Sequence, residues 1–90
     1  MKFTHLRDDY GNLFATVAND EVGFGVAVCS DADQFARKKG RNIAANRLEN
    51  GYSVIPDSPR LVMYKGREVY AADVVELFVN QLELAKPMAL

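Results

Sequence analysis

The sequence is poor in the residues that build disulfides, metal sites and membrane spans. It has one cysteine, one histidine and no tryptophan among 90 residues. A lone Cys29 cannot form an internal disulfide, which indicates a reducing, intracellular setting, and a single cysteine with a single histidine cannot build a typical zinc site. The N-terminus lacks the apolar run of a signal peptide, and no stretch approaches the ~20 apolar residues of a membrane span. We therefore expect a cytoplasmic protein with no metal and no other cofactor.

The bulk composition is that of one folded domain, residues 1–90. Apolar residues make up 49% of the chain, and the formal net charge is −1. This near-neutral balance argues against a general nucleic-acid coat protein, for which a pI above about 9 is typical. A chain this short has a thin core, so we expect a homodimer or a higher homo-oligomer to bury more surface.

Three strands joined by short turns open the chain and predict an antiparallel meander. The alternation of side chains indicates strands over residues 2–7, 13–18 and 21–29, with turn residues at 8–12 and 19–20. The third strand has a bulky face and a small face. The bulky face holds Val22, Phe24, Val26 and Val28, and the small face holds Gly23, Gly25, Ala27 and Cys29.

Two helices and a hairpin complete the predicted α+β fold. Ser30 or Asp31 caps a basic helix that ends near Asn50, with Gly51 just beyond its last turn. Arg60–Tyr64 is a fourth strand, which the Lys65–Gly66 turn extends into a small hairpin. The C-terminal helix runs from about residue 71 to 85 and packs on the sheet, because its apolar residues follow the helical period. The apolar positions are Ala71, Val74, Val75, Phe78, Leu82 and Ala85.

The basic helix concentrates positive charge. Five of the eleven Lys and Arg residues lie between positions 37 and 47: Arg37, Lys38, Lys39, Arg41 and Arg47. Arg37 and Arg41 share a helix face, and Arg47 projects from the other side of Gly40, so the three arginines would flank a shallow strip. Arginine presents a planar fork of donors that suits phosphate or carboxylate. We predict an anion-binding site of these residues with Lys39, and with Tyr52 able to stack on a base or close a pocket.

Two structural interpretations compete with this binding site. The basic side chains can lay their stems over the edge of the core and keep their charges in water. The row of small residues Ala36, Gly40 and Ala44 can pack against the small face of the third strand, with no functional meaning.

No complete catalytic motif is present, and we predict that the chain is not an enzyme. The Gly23–Gly25 pair lies inside a strand and lacks the third glycine of a dinucleotide fingerprint. Cys29 and His5 have no evident third orienting group, so burial explains Cys29 better than catalysis. The carboxylate pairs at 8–9 and 20–21 lie at turns, where solvated residues are the simpler explanation.

One segment resembles a pattern found in small bacteriophage-encoded proteins. It covers about residues 22–51 and reads Gly25-Val26-Ala27-Val28-Cys29-Ser30, then Asp33-x-Phe35-x-Arg37-Lys38-x-Gly40-Arg41-x-Ile43-Ala44-x-x-Arg47. The segment is also loosely similar to Tad1-like phage proteins, which are counter-defence sponges that sequester cyclic ADP-ribose-type signals without degrading them. This resemblance implies that Arg37, Arg41 and Arg47 would be phosphate ligands in a homo-oligomer within the host cell cytoplasm.

The sequence thus leaves three functions open. The first is a non-enzymatic phage-type counter-defence protein that binds an anionic ligand, a cyclic nucleotide signal, through the basic helix at 31–50. The second is a phage inhibitor of a host defence complex, of the anti-CRISPR kind, which acts by protein–protein contact through the acidic turns or the basic helix. The third is an accessory protein that binds nucleic acid, which the overall charge disfavours.

Overall fold

The computed structural model describes residues 1–28, 37–51 and 54–82, with residues 37–39 described by their backbone. Along the chain the elements are β1 (Lys2–Arg7), β2 (Leu13–Asn19), β3 (Phe24–Val28), α1 (Arg37–Glu49), β4 (Leu61–Tyr64), β5 (Arg67–Tyr70) and α2 (Ala71–Asn80). This arrangement confirms the α+β class and the order of elements that the sequence predicts. The predicted cap at Ser30 or Asp31, the residue Cys29 and the predicted end of the last helix at Ala85 lie outside the described residues.

The three-stranded sheet is an antiparallel meander in the order β1-β2-β3, and β4 and β5 form a separate antiparallel hairpin. α1 packs on one face of the three-stranded sheet, against β2 and β3, and α2 packs on those strands from the other side together with the hairpin. The two helices therefore sandwich a single sheet, and each face of the sheet has its own cluster of buried side chains.

The third strand is shorter than the sequence predicts. Residues 20–23 form a tight turn, in which the Asp20 carboxylate accepts the backbone N–H groups of Val22 and Gly23 at 2.8 and 2.9 Å. The Asp20 N–H also donates to the Gly23 carbonyl at 3.1 Å. These bonds hold the backbone out of the ladder, so Val22 is exposed in the turn and does not join the bulky face. The apolar alternation from residue 21 onward predicts a strand, but the Asp20 carboxylate binds the backbone N–H groups of the turn and so favours the turn instead.

A β-bulge between β1 and β2 decides where Phe14 points. The strand register passes from Leu6 opposite Ala15 to Arg7 opposite Leu13, which leaves Phe14 as the extra residue. Simple alternation would place Phe14 and Ala15 on opposite faces, but both belong to the large cluster on the α2 side. A bulge lets two neighbouring residues share a face, and here it brings the largest side chain of β2 into the core. The Phe14 ring meets Tyr64 of the hairpin edge to face, with ring centres 6.5 Å apart.

The β1–β2 turn and the β4–β5 turn contact each other, and this contact joins the hairpin to the three-stranded sheet. Lys65 and Gly66 have φ values of 54° and 78°, which gives the twisted two-residue turn that tight hairpins favour. The Asp9 carboxylate accepts both of their backbone N–H groups, each at 2.8 Å, and the Asp9 N–H donates to the Met63 carbonyl at 2.8 Å. We call this set of three bonds the Asp9 clamp. The sequence-based interpretation of Asp9 as a solvated turn residue is therefore incomplete, because its carboxylate joins the β1–β2 turn to the hairpin.

Candidate anion-binding site

The helix α1 lies very close to β3, and Gly25 makes this possible. A Cβ atom added at Gly25 would overlap the Ala44 carbonyl oxygen and would lie 2.5 Å from the Leu48 backbone nitrogen. The smaller core cluster lies at this contact and consists of Ala18, Ala27, Ala44 and Leu48, with Phe3 and Ile43 packed at its border. The predicted packing of small residues of the helix against the small face of β3 is thus present in the structure. Gly40 is also buried.

Arg41 extends from α1 toward β1. Its side chain is exposed, and the carbon of its guanidinium lies 5.7 Å from the centre of the Phe3 ring. Phe3 is half-buried on β1, on the side of the sheet that faces α1. This is a cation–π geometry, which orients the guanidinium plane while its hydrogen-bond donors stay accessible to water.

Arg47 extends in the other direction, toward β3. It is half-buried, and its Nη1 donates a hydrogen bond to the backbone carbonyl of Val26. Among the strands that the structure describes, β3 lies at the edge of the sheet, so this bond provides a donor for a carbonyl group on that edge. Because Arg41 reaches β1 and Arg47 reaches β3, the two arginines lie on opposite flanks of the helix. The structure does not bring them together in one strip around Gly40.

The structure gives only the backbone position of Arg37 and Lys39, two other residues of the predicted site. Arg37 lies on the first described turn of α1, one helical turn before Arg41, and therefore occupies the same side of the helix. Lys39 is also in α1, and the side chains of both residues lie outside the described part. Tyr52 lies outside the described residues as well.

His5 lies on the same face of β1 as Phe3, which the predicted binding site does not include. It lies two residues after Phe3 on β1 and opposite Thr16 on β2. The His5 Nδ1 and the hydroxyl of the fully buried Thr16 are 2.9 Å apart, in hydrogen-bond contact. Strand alternation puts Phe3 and His5 on one face, so the period of β1 was the available signal. We call Phe3, His5 and Arg41 the β1 flank of α1.

The charged residues of α1 are nearly all positive. Residues 37–47 hold five cationic side chains and no acidic one, and Glu49 is the first carboxylate along the helix. The acidic turns lie elsewhere: residues 8–9 follow β1 and residues 20–21 follow β2, at opposite ends of the sheet. The two acidic pairs therefore cannot act as one surface.

Two further findings concern metals and membranes. Within residues 1–28, 37–51 and 54–82, no three His, Cys, Asp or Glu side chains are grouped so that they could hold a metal ion. Neither of the helices described has both the length and the apolar character needed to cross a membrane.

Comparison with known proteins gives no relative. No protein-family description, no curated protein and no solved structure matches the chain.

Proposed function

We propose that this chain is a non-catalytic binding protein that holds a phosphate-bearing ligand on the β1 flank of α1. The observation that carries the proposal is the Arg41 guanidinium, which is exposed to solvent while it lies over the Phe3 ring. A guanidinium in a restricted orientation loses less conformational freedom when it pairs with an anion. Arg41 is therefore the anchor that we assign to a phosphate group.

The rest of α1 supports an anionic ligand. The cationic side chains of residues 37–47 raise the local concentration of anions, because like charges in one helix add to a single field. Arg37 on the same side of the helix is the second phosphate ligand in this proposal. Arg47 has a different part, since its bond to Val26 holds the helix to the edge of the sheet.

The ligand class that we propose is a nucleotide of the cyclic signalling type. An aromatic ring beside an arginine is suited to a ligand with both a base and a phosphate. In the phage setting that the sequence pattern suggests, the protein would sequester a defence signal of the host and leave it intact. This specific role is a proposal that rests on the pattern and on the charge of α1.

The test is a thermal-shift and calorimetric screen of the purified protein. The probes are cyclic ADP-ribose, cyclic AMP, ADP-ribose and a short single-stranded oligonucleotide. A ligand that binds only the folded state adds about 2.7 kcal/mol of stability at a hundred times its Kd. We expect a stabilising shift with a nucleotide in the wild type, and at least a tenfold weaker affinity in Arg41→Ala.

Arg67→Ala is the matched control. Arg67 is an exposed arginine on β5, so its removal changes the net charge equally without altering α1. Equal loss of affinity in both variants would show that only net charge matters and would overturn the site. No shift with any probe would leave the alternative of a protein partner. The exposed Tyr10 ring in the β1–β2 turn favours that alternative, because aromatic side chains are enriched in interfaces.

A further inference from the structure

An asparagine followed by a glycine, Asn50–Gly51, lies just after α1. It is the one Asn-Gly pair in the chain. The residues that follow the other five asparagines all carry side chains: Leu13, Asp20, Ile43, Arg47 and Gln81. Glycine has no side chain beside its backbone nitrogen and adopts many conformations, so its nitrogen can approach the carboxamide of the residue before it. This pair therefore has the composition that a reaction between neighbouring groups requires.

The surroundings of this pair are open. Both residues are exposed, and they follow Glu49, the last residue of α1. The Asn50 carboxamide takes part in none of the hydrogen bonds formed within residues 1–28, 37–51 and 54–82. A Cβ atom added at Gly51 would meet no atom beyond its chain neighbours within 4 Å. In this part of the chain, no packing contact holds the two groups apart.

The last hydrogen bonds of α1 oppose the approach of these groups. The Gly51 N–H donates to the Leu48 carbonyl at 3.0 Å, and the Asn50 N–H donates to the Asn46 carbonyl at 3.0 Å. Bonds at the exposed end of a helix open at little cost in free energy, because few packed side chains hold them closed. Opening of this turn frees the backbone nitrogen of Gly51.

We propose that Asn50 is a site of spontaneous deamidation. The backbone nitrogen of Gly51 loses its proton and attacks Cγ of Asn50, which closes a cyclic imide. The bond from Cγ to Nδ2 breaks, and the amino group takes up a proton and leaves as ammonia. Water then opens the ring, either at Cγ to give aspartate or at the main-chain carbonyl carbon to give isoaspartate. The reaction needs water alone and no ligand, so it goes beyond the proposed function.

Both products place a carboxylate at position 50, directly after Glu49. The C-terminal end of a helix carries partial negative charge, so a new carboxylate there is unfavourable. The same end of α1 rests on β3, where a Cβ atom at Gly25 would lie 2.5 Å from the Leu48 backbone nitrogen. Deamidation therefore destabilises the turn of α1 that contacts the sheet most closely.

The end of α2 provides an internal comparison. Asn80 is the last residue of that helix and is exposed. The next residue, Gln81, donates its backbone N–H to the Phe78 carbonyl at 3.1 Å, which is the same bond pattern as in the last turn of α1. The two asparagines thus share exposure and helix-end geometry, and they differ in the residue that follows.

The experiment incubates the full chain in neutral and in mildly alkaline buffer and follows amide-to-acid conversion at each asparagine by peptide mapping with mass spectrometry. We expect conversion at Asn50 to be at least about tenfold faster than at Asn80, a difference of about 1.4 kcal/mol in activation free energy. Alkaline buffer should speed the conversion, because the attacking nitrogen must lose its proton. Equal rates at the two asparagines overturn the proposal. Conversion of Asn50 in urea but not in buffer also overturns it, because the folded helix end would then protect the site.

Two variants test the effect on α1. Asn50→Asp has the shape of the wild type and the charge of the product, so we expect a lower midpoint of urea unfolding than in the freshly purified wild type. Asn50→Gln is the control, since its longer side chain must close a larger ring and should keep its midpoint during incubation while that of the wild type falls. Equal midpoints for Asn50→Asp and the fresh wild type would overturn the effect on α1.

Discussion

The two faces of the three-stranded sheet are held against their helices by opposite means. On the α1 side, small residues such as Ala18, Gly25 and Ala27 let the helix backbone rest directly on the strand. On the α2 side, bulky residues fill the space between the sheet and the second helix: Phe14, Val17, Phe24, Val26, Val74, Val75 and Val79. The position of α1 thus depends on small side chains that allow backbone contact, whereas the position of α2 depends on large side chains that fill the space.

This difference has a consequence for the candidate site. Backbone contact at Gly25 fixes the distance of α1 from the sheet. Arg41 and Arg47 extend from α1 toward the sheet on opposite sides of the helix. The buried packing of Ala44 and Leu48 on the sheet orients α1, and Arg41 and Arg47 each add one contact, with Phe3 on one side and the Val26 carbonyl on the other. A site built beside such a helix is held by rigid elements, which favours precise binding.

The largest expected effect is on the bulky side. Phe14→Ala removes a fully buried ring and leaves a cavity next to Tyr64, which costs about 3–5 kcal/mol of unfolding free energy. Urea unfolding followed by circular dichroism measures the loss. Leu77→Ala, at an exposed apolar position of α2, is the control and should change stability by less than about 0.5 kcal/mol. A loss below about 1 kcal/mol for Phe14→Ala would contradict the assignment of this face as volume-packed.

A smaller but more specific effect is expected at the close contact. Gly25→Ala adds one methyl group where backbone atoms of Ala44 and Leu48 leave no room, so α1 must shift outward. We expect a loss of about 2–3 kcal/mol in the same unfolding experiment, at the upper end for overpacking. Gly11→Ala is the comparison, since a Cβ at Gly11 meets no atom within 4 Å and only the φ of 84° opposes it. Similar losses in the two variants would mean that α1 is not held by the contact at Gly25.

The smallest expected effect on stability comes from the β2–β3 turn, which lies outside the contacts of α1 and α2 with the sheet. Hydrogen bonds from the backbone N–H of Val22, and then of Gly23, lower the pKa of Asp20 below its ordinary value. A lowered pKa in the folded state means that the stabilisation is present above the unfolded value of about 3.9 and is lost as the pH falls through the folded value. Unfolding from pH 7 to pH 2 should show this loss in the wild type, and a shallower dependence in Asp20→Asn. An identical pH profile in the two proteins would contradict this coupling.

Much of the fold could be predicted because local signals agree with it. The alternation in β1, the Lys65–Gly66 turn and the helical period of Val74, Val75 and Phe78 each indicate the element that forms. Gly51 adopts a φ of 78° after α1, as its predicted place beyond the helix end requires. These features depend on neighbours within a few residues, which a sequence displays directly.

The rest depends on contacts between distant residues. The bulge that turns Phe14 inward is a property of strand pairing, which is not visible in β2 alone. The predicted strip of Arg37, Arg41 and Arg47 followed from helix geometry. Helix periodicity cannot show that Arg47 would reach the Val26 carbonyl 21 residues away. Tertiary packing decides which strand a side chain reaches, and here it sends Arg41 to β1 and Arg47 to β3.

The Asp9 clamp links parts of the chain that are 56 and 57 positions apart. Its two donors, the amides of Lys65 and Gly66, lie in an exposed turn where amide hydrogens would normally exchange quickly with solvent. Their exchange rates therefore report whether the first turn of the chain is in place. Faster exchange of these two amides would show that the β1–β2 turn has moved away from the hairpin, even though the amides themselves belong to the hairpin turn.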